Sequence, residues 1–358
     1  MEKRSGAGNV SSAEARVIQL HGAGREKSGR DDGAQPVDLP AAAEAGETER
    51  LLDAPVVKFP GSPAAKSSQA RTRAQEGGEA LPSGLVNALR FLRHRLTGDY
   101  TVDEFGFDIE LTDALVLPPL RALYENWFRV TTHGIENLPV EGGALLVCNH
   151  SGTLPLDALM TAVAVHDVHP SHRHLRGLGA DLIFKVPVVG SFARKSGQTL
   201  ACNPDAERLL RKGELVGVWP EGYKGVGKPF SSRYKLQRFG RGGFVSAALR
   251  TGVPIIPVSI VGAEEIYPKI GDIKLLARML GLPYFPVTPF FPLLGLLGMI
   301  PLPTKWSIEF GEPIHTSTFD AGAEEDPMLV FNLTDQVREA IQQALYKRLS
   351  QRRGVFRG

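Results

Sequence analysis

The chain has 358 residues, 42% of them hydrophobic and 22% charged, and a formal net charge of +2. That composition can fill one sizeable core with segments to spare, and its near-neutral balance excludes a globally polyanion-binding protein, so no nucleic-acid partner is expected. Cys148 and Cys202 are the two cysteines; they form neither a disulfide framework nor a zinc pattern, which fits a reducing, cytoplasmic setting.

Residues 1–80 are rich in Ala, Gly, Glu, Arg and Ser, with apolar residues too scattered to bury a face, and are predicted to be a disordered tail. Lys3 and Arg4 lead into this polar stretch with no apolar signal-peptide core behind them. Residues 81–128 read as N-terminal helices. Leu85, Val86, Leu89 and Leu92 share a side, and Arg90, Arg93 and Arg95 gather near the end, so the first is a basic amphipathic helix. It either packs, with cations at its negative dipole end, or lies on a membrane surface. An apolar segment from Leu115 to Phe128 follows, interrupted by Pro118-Pro119, and Arg129-Val130-Thr131 reads as the start of a strand.

Residues 129–320 alternate between two kinds of segment. Strands are predicted at 144–148, about 175–179, 215–219 and 255–261, separated by helical stretches at about 154–165, 204–212 and 243–251. Such alternation specifies an α/β fold with a mainly parallel central sheet flanked by helices. No charged residue occurs between Arg278 and Lys305, a span long enough to cross a bilayer. Pro283, Pro286, Pro289 and Pro292 recur every third residue, however, and a regular helix does not tolerate them. The segment therefore reads as membrane-interface or acyl-chain-contacting surface, with a buried excursion or a spanning segment as the alternatives; peripheral membrane association is expected. Residues 321–358 hold a C-terminal amphipathic helix and tail. Asp326 and Pro327 mark the helix start, and Leu329, Leu333, Val337, Ile341 and Leu345 recur every four residues.

Two strand ends carry chemistry. His150 follows the run Ala144-Leu145-Leu146-Val147-Cys148, with Asp157 seven positions on; Trp219-Pro220-Glu221-Gly222-Tyr223-Lys224 follows the run at 215–219. Open α/β sheets place ligands at the carboxyl ends of their strands. Imidazole can take the proton of an attacking hydroxyl near neutral pH, and a carboxylate behind the ring fixes its tautomer. Taken alone, Asp157 is equally a first-turn helix carboxylate and His150 a strand-end histidine satisfied by backbone. Gly222 to Lys228 spells a phosphate-loop pattern, but Pro229 stands where Ser or Thr would bind magnesium. The cations Lys224, Lys228, Arg233, Lys235, Arg238 and Arg241 follow one another without an acid between them, so the loop either meets phosphates or is solvated surface. His166, His169, His172 and His174 lack a fixed acidic or cysteine partner in the sequence and read as a solvated loop, so no metal is expected.

The two strand-end segments together resemble the glycerolipid acyltransferase family, whose hallmarks are a His-x4-Asp pair and a later Phe-Pro-Glu-Gly-Thr-Arg segment. The resemblance covers about residues 130–315, and Asn149 to Asp157 looks most like the monoacylglycerol and diacylglycerol acyltransferase branch. It implies His150 as catalytic base, Asp157 as its orienter, and Glu221, Gly222 and Lys224 as acceptor-binding residues. It implies no bound cofactor: acyl-CoA or an acyl carrier protein is the acyl donor, and a lipid hydroxyl the acceptor. Lys228, Arg233, Lys235 and Arg238 become candidates for the donor's phosphates. The spacing departs from the family, since Leu154 and Pro155 precede the carboxylate, which comes two places late. A family block whose arginine meets the acceptor phosphate best matches Gly197 to Asn203; Asn203 takes the arginine's place and, before Pro204, looks like a helix cap. The resemblance thus implies a peripheral enzyme on the cytoplasmic membrane face, with a neutral acceptor. A lysophosphatidate acyltransferase and an inactive lipid-binding scaffold of the same fold are the alternatives.

Overall fold

Ala144–Cys148 (β2) has no exposed residue on either face, the pattern of a strand covered by helices on both sides. In the computed structural model, which describes residues 91–98, 100–151 and 154–357, β2 is the middle of a seven-stranded sheet. The tail and the first half of the basic helix lie outside the described residues. The other strands are β1 (Thr131–His133), β3 (Leu175–Gly179), β4 (Gln198–Leu200), β5 (Leu215–Val218), β6 (Ile255–Val261) and β9 (Ser307–Phe310), in the order β1-β9-β6-β2-β5-β3-β4. Neighbouring pairs from β6 to β4 are parallel; β9 runs antiparallel to β6, and β1 parallel to β9. A ribbon of β7 (Gly271–Asp272) and β8 (Pro286–Val287) stands apart.

All four predicted strands and the three helices between them are present. The helices are α1 (Leu156–Val168), α2 (Asn203–Arg211) and α3 (Gly243–Thr251). The sheet also contains β4 and β9, which the sequence reading did not identify. Each has only three or four residues, too few for a period to emerge. Their places come from pairing with β3 and β6.

Alternation in β2 sends side chains to two cores. Leu146 and Cys148 meet α1 residues such as Met160 and Val163, together with Tyr124, Phe128 and Trp306. Leu145 and Val147 meet α2, α3 and the last helix, α4 (Pro327–Gln351). Asp326 caps α4, its Oδ1 accepting from Met328 N at 2.8 Å, and the four-residue repeat buries Leu333, Val337, Ile341 and Leu345. Residues 109–127 are helical throughout, with wider π turns at Thr112–Val116 and Leu123–Trp127. The first π turn closes just before Pro118-Pro119, which have no N–H to give.

Among the described residues no helix is long and apolar enough to cross a membrane. The charge-free stretch forms β8, a short 3-10 turn at Gly295–Met299 and irregular chain. Much of its apolar surface is open: Leu293 and Leu296 are each 83% exposed and Leu297 69%.

Candidate active site

The registers bring the ends of β2 and β5 abreast, with Val147 opposite Val218, while β6 runs three residues past Val258, the partner of Cys148. An ionisable residue follows each strand: His150 after β2, Glu221 after β5, and Glu264, next to Glu265, after β6. Asn149 is what frees the chain from the sheet at this point. Its Nδ2 donates to Ile260 O at 3.0 Å and its Oδ1 accepts from Ile260 N at 2.7 Å, so a side chain replaces main-chain pairing and the backbone can turn.

His150 Nδ1 lies 2.7 Å from Asp157 Oδ2. Asp157, the second residue of α1, is fully buried, and its oxygens also accept from Ser151 N and Ala158 N, each at 2.9 Å. With the carboxylate as acceptor, Nδ1 carries the ring proton and Nε2 is the basic nitrogen. The late spacing is absorbed by the turn at Leu154-Pro155, after which α1 points Asp157 back at the ring.

Glu221 is buried and holds backbone. Its Oε1 accepts from His150 N, 71 residues earlier, at 2.9 Å and its Oε2 from Gln237 N at 2.7 Å, tying the β2 end to the loop around Gln237. Gly222 has φ 55 and ψ −146, a conformation open essentially to glycine alone. Gly225 then packs against the site so closely that a Cβ there would lie 2.7 Å from Glu221 Cβ and 3.0 Å from His150 Cβ.

The six cations do not form one surface. Lys224, Arg233, Lys235, Arg238 and Arg241 are exposed, and Arg233 lies over the Phe230 ring. Lys228, expected among the phosphate ligands, is instead buried between Glu221 Oε2 at 3.4 Å and Glu264 Oε1 at 3.0 Å. A buried ammonium is retained only where paired, and two carboxylates converge on this one. Glu264 also accepts from Tyr234 N at 2.8 Å; burial pushes its carboxyl up to about 7 against the pull of Lys228. Asn203 is not a cap: Cys202 takes that position, and Asn203 is the exposed first residue of α2, beside Gly243.

Leu154, Leu182, Tyr267, Tyr284, Phe291 and Met299 line an apolar cavity of about 300 Å³. Tyr284 joins it to the site: a Cβ on Gly227 would lie 3.2 Å from its ring, and burial, with the Asp157 and Asp272 charges, pushes its hydroxyl up to about 12. Asn149, Gly225, Glu264 and Tyr284 were not assigned roles from sequence. Asn149 and Glu264 carry the same signal as His150 and Glu221, a polar residue just past an apolar run; Gly225 and Tyr284 have no local signal.

The histidine cluster is not a solvated loop. His169 is buried, with Nε2 3.3 Å from Leu138 O, and His166 belongs to α1; His172 alone of the four is exposed. His166 has a local carboxylate in Asp167, 2.7 Å from its Nδ1, and Asp113, from the distant helical segment, joins His166 and His174.

A family model described as Acyltransferase matches residues 129–261. An uncharacterised protein of Mycobacterium tuberculosis is 60% identical over 284 residues, 78% of this chain and 79% of that protein. The human protein named DGAT1/2-independent enzyme synthesizing storage lipids is 26% identical over 52% of this chain and 54% of its own. The chloroplastic 1-acyl-sn-glycerol-3-phosphate acyltransferase BAT2 of Brassica napus is 27% identical over 40% of each chain.

Proposed function

Because this chain belongs to the glycerolipid acyltransferase family and is an acyltransferase, we propose that it transfers a fatty acyl group from acyl-CoA, or an acyl carrier protein, to the hydroxyl of a neutral glycerolipid or long-chain alcohol. The observation that carries this is the 2.7 Å contact between His150 Nδ1 and buried Asp157, which leaves Nε2 as a base at the ends of the strands. Nε2 takes the acceptor's hydroxyl proton as the oxygen attacks the thioester carbonyl. The tetrahedral intermediate collapses, the C–S bond breaks, and the departing thiolate receives the proton from the imidazolium. Asp157 stabilises that imidazolium and keeps the ring oriented.

Two features support the neutral acceptor. Lys228, at Glu221, is already held by two carboxylates, and in the sequence resemblance Asn203 takes the position of the arginine that would grip a phosphate monoester. The storage-lipid relatives point the same way. The exposed cations Lys224, Arg233, Lys235 and Arg238 and the Brassica relative favour the second reading, a lysophosphatidate acceptor. The exposed leucines at 293–297 lie between cavity residues Phe291 and Gly298, which suits a peripheral enzyme drawing lipid from the cytoplasmic face of a membrane.

The deciding experiment measures kcat/KM for labelled acyl transfer to matched acceptors with and without phosphate, using acyl-CoA and acyl carrier protein donors in parallel. A neutral acceptor preferred by about tenfold or more, the order of one charge-assisted contact, is expected. Preference for the phosphorylated acceptor would move the enzyme to the second reading, and full activity in His150→Ala would remove the base assignment.

A further inference from the structure

We propose that Asp113, His166 and His174 bind a divalent first-row cation, Zn²⁺ foremost, at the end of the sheet opposite His150. One ligand atom from each lies within 4.8 Å of the others. Asp113 Oδ1 is 3.4 Å from His174 Nε2 and 3.8 Å from His166 Nε2. Both separations exceed the roughly 2.7–3.2 Å of an N–H···O hydrogen bond. They approach the about 3.3 Å edge of a tetrahedron whose bonds are about 2.0–2.1 Å, the length of Zn–N and Zn–O bonds.

The surroundings are those of a ligand set. His166 Nδ1 lies 2.7 Å from Asp167 Oδ1, and Asp167 is itself gripped by Arg121 through Nε at 2.7 Å and Nη2 at 2.8 Å. That second carboxylate puts the ring proton on Nδ1 and leaves the Nε2 lone pair toward Asp113, the arrangement typical of metal-bound histidine. Phe107 packs edge-on against the His174 ring, with centroids 5.3 Å apart. The side chains of His166 and His174 are 15% and 19% exposed, and that of Asp113 46%, so an ion has a route in and room for a water as fourth ligand. Two imidazoles and one carboxylate suit a borderline cation over Mg²⁺ or Ca²⁺, which prefer oxygen.

The site is separate from the catalytic one. His166 follows Asp157 by nine residues of α1, about 14 Å along its axis, and His174 precedes the first residue of β3. Three elements meet at the ion: the helical segment 109–127 through Asp113, the end of α1, and the entry to β3. Binding would fasten the segment to the core.

The test uses the full chain, stripped with chelator and titrated with Co²⁺, whose visible absorption reports tetrahedral ligation, followed by displacement with Zn²⁺. About one equivalent should bind, and Zn²⁺ should raise Tm. Asp113→Asn, at a half-exposed position, and His174→Gln should each weaken binding at least about tenfold, and Asp167→Asn by about 10–100-fold. His94→Ala, altering another histidine beside a carboxylate, Glu110 at 3.0 Å, should bind as the wild type does. A folded wild type with no saturable Co²⁺ band, or equal affinity in Asp113→Asn and His174→Gln, would overturn the proposal.

Discussion

His150 is held from both sides of its main chain and ring: Glu221 fixes its N–H, Asp157 its Nδ1, and Asn149 the strand end before it. Replacing His150 with Ala should lower transfer by about 10²–10⁴-fold with the fold intact, since a positioned base contributes on that order; Asp157→Asn should cost as much or less. Single-turnover acyl transfer alongside circular dichroism checks both. Gly225→Ala is a sharper probe of geometry, because its methyl must displace either Glu221 or His150. It should reduce kcat by about tenfold or more while leaving Tm within a few degrees, and an unchanged kcat would show that the ring does not need that packing. Glu264 supplies a pH signature. Its carboxyl titrates near 7 in the fold against an ordinary value of 4.5, so the folded state favours the protonated form. That contribution is fully present below about pH 4.5 and is lost as pH rises through 7. Urea unfolding between pH 5 and 8 should therefore show wild-type stability falling relative to Glu264→Gln, and parallel curves would contradict the burial argument.

The candidate site sits where parallel strands end, because each strand must hand its chain to a turn there and the freed backbone can carry polar groups. The segment from Arg278 to Lys305 answers a different constraint. Its prolines remove donors a helix would need, so the chain runs as ribbon and 3-10 turn, and Leu293, Leu296 and Leu297 have no core to enter. Such an apolar surface beside an apolar cavity is costly in water unless it meets a partner. Leu296→Asp with Leu297→Asp should abolish co-sedimentation with phospholipid vesicles while leaving transfer to a detergent-dispersed acceptor within about threefold, given that neither leucine lines the cavity. Undiminished vesicle binding would reject this face as the membrane contact.

Two cores, one on each face of the sheet, hold the molecule together, and the N-terminal segment is fastened to the first of them. Trp306, fully buried just before β9, stacks on Phe128 with centroids 4.4 Å apart, and its backbone bonds to Phe128 O and Thr131 N. Its Nε1 donates to Thr304 Oγ1 at 2.9 Å. Trp306→Ala should destabilise the protein by about 3–5 kcal/mol, the cost of emptying an aromatic core site, measured by chemical denaturation. A loss below about 1 kcal/mol would mean that the segment is held elsewhere.

Continuous apolar runs marked β2, β5 and β6 before any tertiary information, because a strand buried on both faces is apolar on both; β3, which carries Arg176 and two glycines, was placed by the alternation of strands and helices. The Asp326-Pro327 start and four-residue repeat did the same for α4, since capping and periodicity act within a few residues. His150 and Glu221 were legible for a related reason: polar residues just past a buried run mark where the sheet releases its chain. What they do to each other was not. The Glu221 bond to His150 spans 71 residues, Lys228 meets a carboxylate 36 positions away in Glu264, and Asp113 reaches His166 across 53. No local pattern encodes such meetings; they follow from strand order and helix packing. Sequence thus marked the longer elements of the core and the residues at their ends. Only the tertiary structure decided that Lys228 lies buried between Glu221 and Glu264, that the short strands β4 and β9 join the sheet, and that Asp113 meets the histidine cluster, because those outcomes depend on burial and on partners far along the chain.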